Sequence, residues 1–459
     1  MQPETRVCVI GAGPSGIAAV KNFLDRGLTH LVAYDRNEEV GGNWLFNPAP
    51  SHSSVFETTH IISSKMFSQY HDFPMPEDYP EYPSHSQLAR YFQAYARHFG
   101  LYGHIQFRTE VLRVAPNPDG TWEVETEQGG RRTSRAFDYV AVSNGHHWRP
   151  RMPEYPGTFT GTLLHSHAFK RAADHAGRRI LVIGGGNSAC DVAVETSRVA
   201  ASVDLSMRRG YWVLPKFFLG EPVDVTNAKT MRMLPFLPGW LRFWLMEKTL
   251  KLIQGDNAKY GLQKPDHRIG QTHPTVNSEL LYFMRHGRIR PRPDIARCEG
   301  RTVHFTDGSS GEYDTIIACT GFWISHPFFD PSVVDFSQGP VPLWLKMFDA
   351  RHRNLFFIGL FQPLGCIWPA AELQAKLAAR VMTGEWKLPD DLERRCRAEV
   401  DHPDLHQLAT PRHTITVDYH AFRKRLLAHL PKDYRRPQPR MSAQDAAQPA
   451  PVPLPAAGR

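Results

Sequence analysis

Two stretches decide how this chain folds: Arg6-Val7-Cys8-Val9-Ile10-Gly11-Ala12-Gly13-Pro14-Ser15-Gly16 and Ile180-Leu181-Val182-Ile183-Gly184-Gly185-Gly186-Asn187-Ser188-Ala189. Each is a short apolar run that stops at a glycine-rich turn. A helical pattern follows over residues 17–24 and 189–200, and then a second apolar run over residues 31–34 and 203–206. Strand, glycine turn, helix, strand is the order of a dinucleotide-binding unit, and here it occurs twice. Glycine lets the backbone approach a pyrophosphate, and the helix start supplies free N–H groups and a partial positive charge. The expected cradle residues are Gly11, Gly13, Pro14, Ser15 and Gly16 in the first copy. In the second they are Gly184, Gly186, Asn187, Ser188 and Ala189. A tight turn with no ligand is the plainer reading of either copy taken alone.

The residue closing the second strand separates the two copies. Asp35 lies 19 residues after Gly16, and Arg208 lies 19 residues after Ala189. A carboxylate at this place accepts hydrogen bonds from ribose hydroxyls and repels a 2′-phosphate; a guanidinium grips that phosphate. The first copy is therefore expected to take FAD and the second NADPH, with Arg209 either assisting or simply part of a solvated basic turn. Gly41-Gly42-Asn43-Trp44 follows Asp35 closely. Gly42 allows close packing and Trp44 can cover a flavin, although a turn with a core tryptophan reads equally well.

A second pair of segments echoes the first. Asp138-Tyr139-Val140-Ala141-Val142-Ser143-Asn144-Gly145 and Asp314-Thr315-Ile316-Ile317-Ala318-Cys319-Thr320-Gly321 share an aspartate, a buried-strand pattern and a glycine at equal spacing. Pro150, Pro153 and Pro156 mark a linker. These features predict an α/β protein of two Rossmann-like domains, the NADPH domain inserted into the FAD domain. The expected spans are 1–158 and 317–435 for the FAD domain, 159–316 for the NADPH domain, and 436–459 for a Pro/Ala/Gln-rich tail unable to support a core.

Composition closes off other classes. The chain has 459 residues, 41% hydrophobic and 22% charged, as in ordinary globular proteins. Lys+Arg 54 against Asp+Glu 46 gives +8, of which residues 431–459 contribute +3 (five basic, two acidic). No basic helix or aromatic-interleaved patch stands out, so no nucleic-acid partner is expected. Six scattered cysteines without a C-x-x-C pair predict free thiols, no metal site and a cytoplasmic location. The first strand starts too early to leave room for a leader. Residues 234–253 are the most apolar stretch, but Pro235, Pro238, Arg242 and Glu247 break it. A packed lid or domain-junction helix is expected there, and a weak membrane-surface contact is the second reading, since Trp and Lys suit an interface.

Phe159-Thr160-Gly161-Thr162-Leu163-Leu164-His165-Ser166-His167-Ala168-Phe169 has the pattern F-x-G-x-x-x-H-x-x-x-F. With both glycine turns, the G-G-x-W segment and Ile317-Ala318-Cys319-Thr320-Gly321-Phe322, the chain resembles the flavin-containing monooxygenases over about residues 5–430. Similar stretches include Arg208-Arg209-Gly210-Tyr211-Trp212-Val213-Leu214, His273-Pro274-Thr275-Val276-Asn277 and Ile358-Gly359-Leu360-Phe361-Gln362-Pro363-Leu364-Gly365. The last makes Gln362 and Leu364 expected neighbours of FAD. The resemblance implies that NADPH reduces FAD and that the reduced flavin captures O2 as a C4a-hydroperoxide. One oxygen atom then passes to an amine nitrogen or sulfide sulfur of a small substrate. His165 is expected to position the domain junction.

One departure matters. The family's T-N-x-x-K segment, whose asparagine faces the flavin, corresponds to Ile61-Ile62-Ser63-Ser64-Lys65. Isoleucine cannot donate a hydrogen bond, so Ser63, Ser64, His60 or NADP+ itself fills that role, or oxygen leaves as peroxide, as in an NADPH oxidase or flavin reductase; the plainer reading of the serines is that they cap a turn. Phe169, where Baeyer–Villiger enzymes usually carry tryptophan, favours heteroatom oxygenation over ketone insertion. Oligomeric state is open, a homo-oligomer included.

Overall fold

The computed structural model describes residues 4–49, 51–233, 236–272, 275–336, 339–403, 405 and 414–432. The tail expected over 436–459 lies outside the described residues, as do His273 and Pro274.

Two five-stranded parallel sheets organise the molecule. The first runs in the order Leu355–Phe357, Tyr139–Val142, Val7–Ile10, Leu31–Tyr34, Ile105–Gln106. The second runs Thr162–His165, Thr315–Ala318, Arg179–Ile183, Ser202–Ser206, Ile289–Arg292. The echo between residues 138–145 and 314–321 has a structural meaning. Tyr139–Val142 and Thr315–Ala318 each pair in parallel with the strand that leads into a glycine turn.

The strands read as continuous apolar runs because both faces of each sheet are covered. Val7 and Val9 pack with the helices Pro14–Leu24, His85–His98 and Trp368–Met382, whereas Cys8 and Ile10 face the core beneath the antiparallel sheet Thr109–Pro116, Trp122–Gln128, Arg131–Phe137. Ile180 and Val182 likewise pack against the helix Asn187–Ser197, while Leu181 and Ile183 meet the strands Ile295–Gly300 and Thr302–Phe305. Both glycine-turn helices begin before the apolar pattern does, at Pro14 and Asn187, because their first turns lie over the turn and not over the core.

The sheets correct two boundaries. Gly157–Phe159 pairs with Cys298–Gly300, and Thr315–Ala318 lies wholly in the second sheet. The divisions after 158 and after 316 each cut one of these strands. The chain crosses instead at Arg149–Pro150 and Phe322–Trp323, which pair antiparallel so that both crossings lie side by side. Sequence shows apolar runs but not their partners, hence the displacement.

Residues 234–253 also differ from expectation. The helix Gly239–Gln254 buries only Glu247, which accepts from Arg268 and from Ile269 N–H. Trp240 is 71% exposed, Leu252 86% and nearby Phe236 96%, so this segment is not a packed junction helix. Among the described residues no helix is long and apolar enough to cross a membrane.

Candidate functional site

The first glycine turn, the end of Leu31–Tyr34 and the loop after Tyr139–Val142 enclose a cavity of about 340 Å³ at the carboxyl ends of the strands. That is where ligands bind in open α/β sheets. Of the residues expected to hold FAD, Gly11, Gly13, Pro14, Ser15, Asp35, Gly42 and Trp44 line it. Gly16 does not. A Cβ there would stand 1.9 Å from the Gly11 carbonyl oxygen, so this glycine serves helix-on-strand packing. Gly42 has φ +54°, and a Cβ on it would lie 2.9 Å from the Gly13 Cα. By contrast, a Cβ on Gly13 would meet only the Gly42 backbone, its Cα at 3.5 Å and its N at 3.9 Å. Nothing among the described residues requires glycine at 13.

Asp35 is buried beneath this turn. Its Oδ2 accepts from Ala12 N–H at 2.6 Å and its Oδ1 from Asn37 N–H at 2.7 Å. Burial pushes its pKa up, against the pull of these two amides. The carboxylate thus braces the glycine turn as well as facing the cavity, each oxygen keeping a second lone pair that can accept a further hydrogen bond.

The cavity also has walls that the motifs did not announce. Asn144, His146, His147 and Trp148 follow the strand Tyr139–Val142, and Gly359, Ile367 and Trp368 come from the last third of the chain. Trp368 meets Trp44 edge to face at 5.8 Å, and the Arg36 guanidinium lies 5.0 Å from the Trp148 ring. The signal for 144–148 was present in the 138–145 echo, since the loop after a parallel strand beside the glycine strand faces the same crevice. Trp368 offered no signal beyond its being aromatic.

Four sequence-predicted residues stand off this wall. Gln362 and Leu364 are absent from it; the Gln362 Oε1 lies 3.4 Å from the His146 Nε2, and Leu364 N–H donates to the Val417 carbonyl. The two serines are also absent. The Ser63 hydroxyl pairs with Ser68 at 2.8 Å, and the Ser68 carbonyl accepts from the Trp368 indole at 2.7 Å. Ser63 therefore sits behind Trp368 and not in front of it. Ser64 N–H donates to Asp224 at 2.7 Å, and its hydroxyl is buried without a partner.

The second glycine turn is clamped from one side. Thr275 Oγ1 donates to the Gly185 carbonyl at 2.7 Å, Val276 N–H donates to Asn187 Oδ1 at 2.6 Å, and Asn277 Nδ2 donates to Asp191 at 2.7 Å. The Asn187 side-chain oxygen is thus engaged by the segment that clamps the turn. Tyr211 lies over Gly185, where a Cβ would fall 2.1 Å from its ring. Ser188 is exposed at the helix start, and Ala189 is buried. Arg208 projects exposed from the end of Ser202–Ser206, and the Arg209 Nε is buried with no partner. An unpartnered guanidinium nitrogen beside an exposed guanidinium fits an anionic group.

His165 ends the edge strand of the second sheet, 5.1 Å ring to ring from Phe322 in the crossing strand. It is buried, its Nδ1 accepts from His167 N–H at 3.1 Å, and burial pulls its pKa down to about 4. Its place is at the crossing and not in the cavity.

A model of the flavin-binding monooxygenase-like family matches residues 4–430. The chain belongs to this family. It is 35% identical over 434 residues to flavin-containing monooxygenase 5 of Rattus norvegicus, covering 91% of this chain and 81% of that protein. Dimethylaniline monooxygenase [N-oxide-forming] 2 of Cavia porcellus is 37% identical over 403 residues, covering 84% and 75%. Among solved structures, the S-allyl-L-cysteine S-oxygenase of Allium sativum aligns with TM-score 0.69 at 21% identity over 92% of this chain and 88% of that one. An ε-caprolactone-bound cyclohexanone monooxygenase aligns with TM-score 0.68 at 18% identity, over 95% and 99%. The structural likenesses show a shared α/β fold of two Rossmann-like domains. As a member of the flavin-binding monooxygenase family, the chain is an oxidoreductase that uses FAD and NADPH.

Proposed function

We propose that this flavin-binding monooxygenase transfers one oxygen atom of O2 to a soft nucleophile, an amine nitrogen or a sulfide sulfur, using NADPH as electron donor. The observation that carries the reading is the pairing of two like cradles with opposite endings. Asp35 lies against the cavity of the first, and Arg208 stands exposed beside the second. The relatives named for N-oxide formation and for S-oxygenation favour the heteroatom class. Phe169 points the same way: it is buried, stacked on His175 and set edge to face against Phe56.

Bound flavin, once reduced, supplies the activation of O2. This chain's residues do the rest. Gly13 and the first-turn N–H groups of the helix Pro14–Leu24 hold the pyrophosphate, Asp35 the ribose, and Arg208 with Arg209 a 2′-phosphate. Trp44 and Trp368 close one end of the cavity and keep water from the reacting atoms. Neither serine lines the cavity, so the role of the family asparagine falls to Ser64 only if its loop turns toward the flavin. Ser63 is committed to Ser68, whereas the Ser64 hydroxyl has no partner.

Ile62 supports a second reading, in which oxygen leaves as hydrogen peroxide, since it offers no donor at the asparagine's place. Ketone insertion has no residue here that favours it. The buried thiols fit a cytoplasmic location, with the exposed face of the helix Gly239–Gln254 making a weak membrane-surface contact. To test the reading, holoenzyme is given NADPH, O2 and a tertiary amine or thioether, and NADPH consumed, oxide formed and peroxide released are counted together. Oxide in step with NADPH supports monooxygenation. Peroxide in step with NADPH, unchanged by the nucleophile, refutes it.

A further inference from the structure

The identifying motif ends at Phe169, and the next residue, Lys170, is a buried ammonium with no counter-charge among the described residues. Its Nζ donates to the Ser53 carbonyl at 2.7 Å and the Val55 carbonyl at 3.4 Å, and its own carbonyl accepts from Glu57 N–H at 2.9 Å. Burial alone shifts its pKa, downward to about 8. A buried cation held only by carbonyl dipoles is costly, so a purely packing position would be better served by methionine.

What Lys170 holds is a strap, residues 52–57, lying between the motif and the flavin cavity. His167 of the motif approaches the His52 carbonyl through Nε2 at 3.2 Å. From its other side the strap grips the cavity wall. Ser53 Oγ donates to the Asn43 carbonyl at 2.7 Å, Ser54 N–H donates to Asn43 Oδ1 at 2.7 Å, and Ser54 Oγ donates to the His147 carbonyl. His52 itself lines the cavity, its ring 5.4 Å from that of Trp148 and its Nδ1 buried without a partner. Asn43, Trp44, His147 and Trp148 line it too. The motif therefore lines none of the cavity directly, yet its His167 and the residue that follows it, Lys170, fix the strap that does.

We infer that Lys170, aided by His167, is a positioning residue that locks the 52–57 strap and thereby sets how tightly the cavity holds its flavin. The inference rests on the reading of that cavity as the FAD site. Three carbonyls of one short segment, on His52, Ser53 and Val55, are drawn toward the second body. Releasing them frees Asn43 and His52 to move away from the ligand.

The test compares full-length wild type with Lys170→Met, Lys170→Arg and His167→Phe, measuring FAD dissociation constant, flavin absorption contour and thermal midpoint of the apoprotein. Lys170→Met is expected to weaken FAD binding about tenfold or more, the loss of a charged hydrogen-bond donor, and to alter the absorption contour. Lys170→Arg, which can still reach two carbonyls, restores both, whereas a simple volume effect would not be rescued by the larger side chain. His167→Phe, which keeps a ring against Phe322, gives a smaller loss in the same direction and serves if Lys170→Met does not fold. A wild type that binds no FAD would refute the cavity reading itself. Variants that hold FAD with wild-type affinity and contour would overturn the role of Lys170 and leave that reading standing.

Discussion

Replacing Gly13 with alanine separates a glycine kept for a ligand from one kept for the fold. Gly13 is the N-cap of the helix Pro14–Leu24, with φ −69° and ψ −177°, a conformation that alanine adopts freely. Its new Cβ would meet only the Gly42 Cα at 3.5 Å and N at 3.9 Å, ordinary contacts. Losing glycine's entropy cost gains about 0.4–1 kcal/mol, and alanine is the poorer N-cap by a comparable amount. The apoprotein midpoint should therefore move by no more than about 2–4 °C. A pyrophosphate lying on this turn would be pushed away by the methyl group. Losing one charge-assisted hydrogen bond, about 1.5–3 kcal/mol, corresponds to about a tenfold to hundredfold weaker FAD complex. Gly16→Ala is the control. Its Cβ would fall 1.9 Å from the Gly11 oxygen, so it should lower the apoprotein midpoint sharply. Differential scanning fluorimetry on apoprotein and flavin-fluorescence titration give both numbers. Gly13→Ala protein that binds FAD as tightly as wild type would refute the cradle.

Three further outcomes are expected. Arg208→Ala should weaken NADPH use by about 1.5–3 kcal/mol and leave NADH nearly unchanged in steady-state kinetics; equal losses would reject the 2′-phosphate role. His52, His146, His165 and His326 have pKa values drawn by burial to about 3, 4, 4 and 3. The unfolded chain, with imidazoles near 6.5, then binds protons that the folded chain does not. Stability should be complete above about pH 6.5 and fall as the pH drops toward 4; a thermal midpoint flat between pH 7 and 5 would contradict this. Substituting both Trp240 and Leu252 with serine should cut co-sedimentation with phosphatidylglycerol vesicles about tenfold, whereas self-association lost in the same variant would identify a second copy as the occupant of that face.

Both glycine turns, their flanking strands and the pairing of Asp35 against Arg208 were legible because these features are local. A strand, a turn and a helix within thirty residues constrain one another, and a charge at a fixed spacing needs no tertiary knowledge. Domain boundaries were misplaced by only a few residues, since Gly157–Phe159 and Thr315–Ala318 look the same whichever sheet they join. Trp368 was invisible as a cavity residue because it reaches the wall from more than 300 residues beyond the turn it completes, whereas the stretch holding Gly359 is marked in the sequence, but for Gln362 and Leu364 and not for the glycine that lines the wall. The apolar helix Gly239–Gln254 misled for a different reason. Apolar content predicts burial only where something else is present to cover it.

The serines of residues 61–65 show how far a motif can be carried by alignment alone. Matching Ile62 to an asparagine locates a missing donor, and the neighbouring hydroxyls are the natural substitutes. Geometry separates the two. Ser63 is spent on Ser68, which carries the Trp368 indole on its carbonyl, so removing Ser63 should disturb the wall before it disturbs any chemistry. Ser64 keeps its hydroxyl free while Asp224, reaching across from the helix Val223–Met233 in the second body, pins its backbone. A Ser64→Ala enzyme that releases more peroxide per NADPH, with Ser63→Ala losing flavin instead, is the pattern this arrangement requires. The reverse pattern would place the working donor on the other hydroxyl and make Asp224 a support for the loop alone.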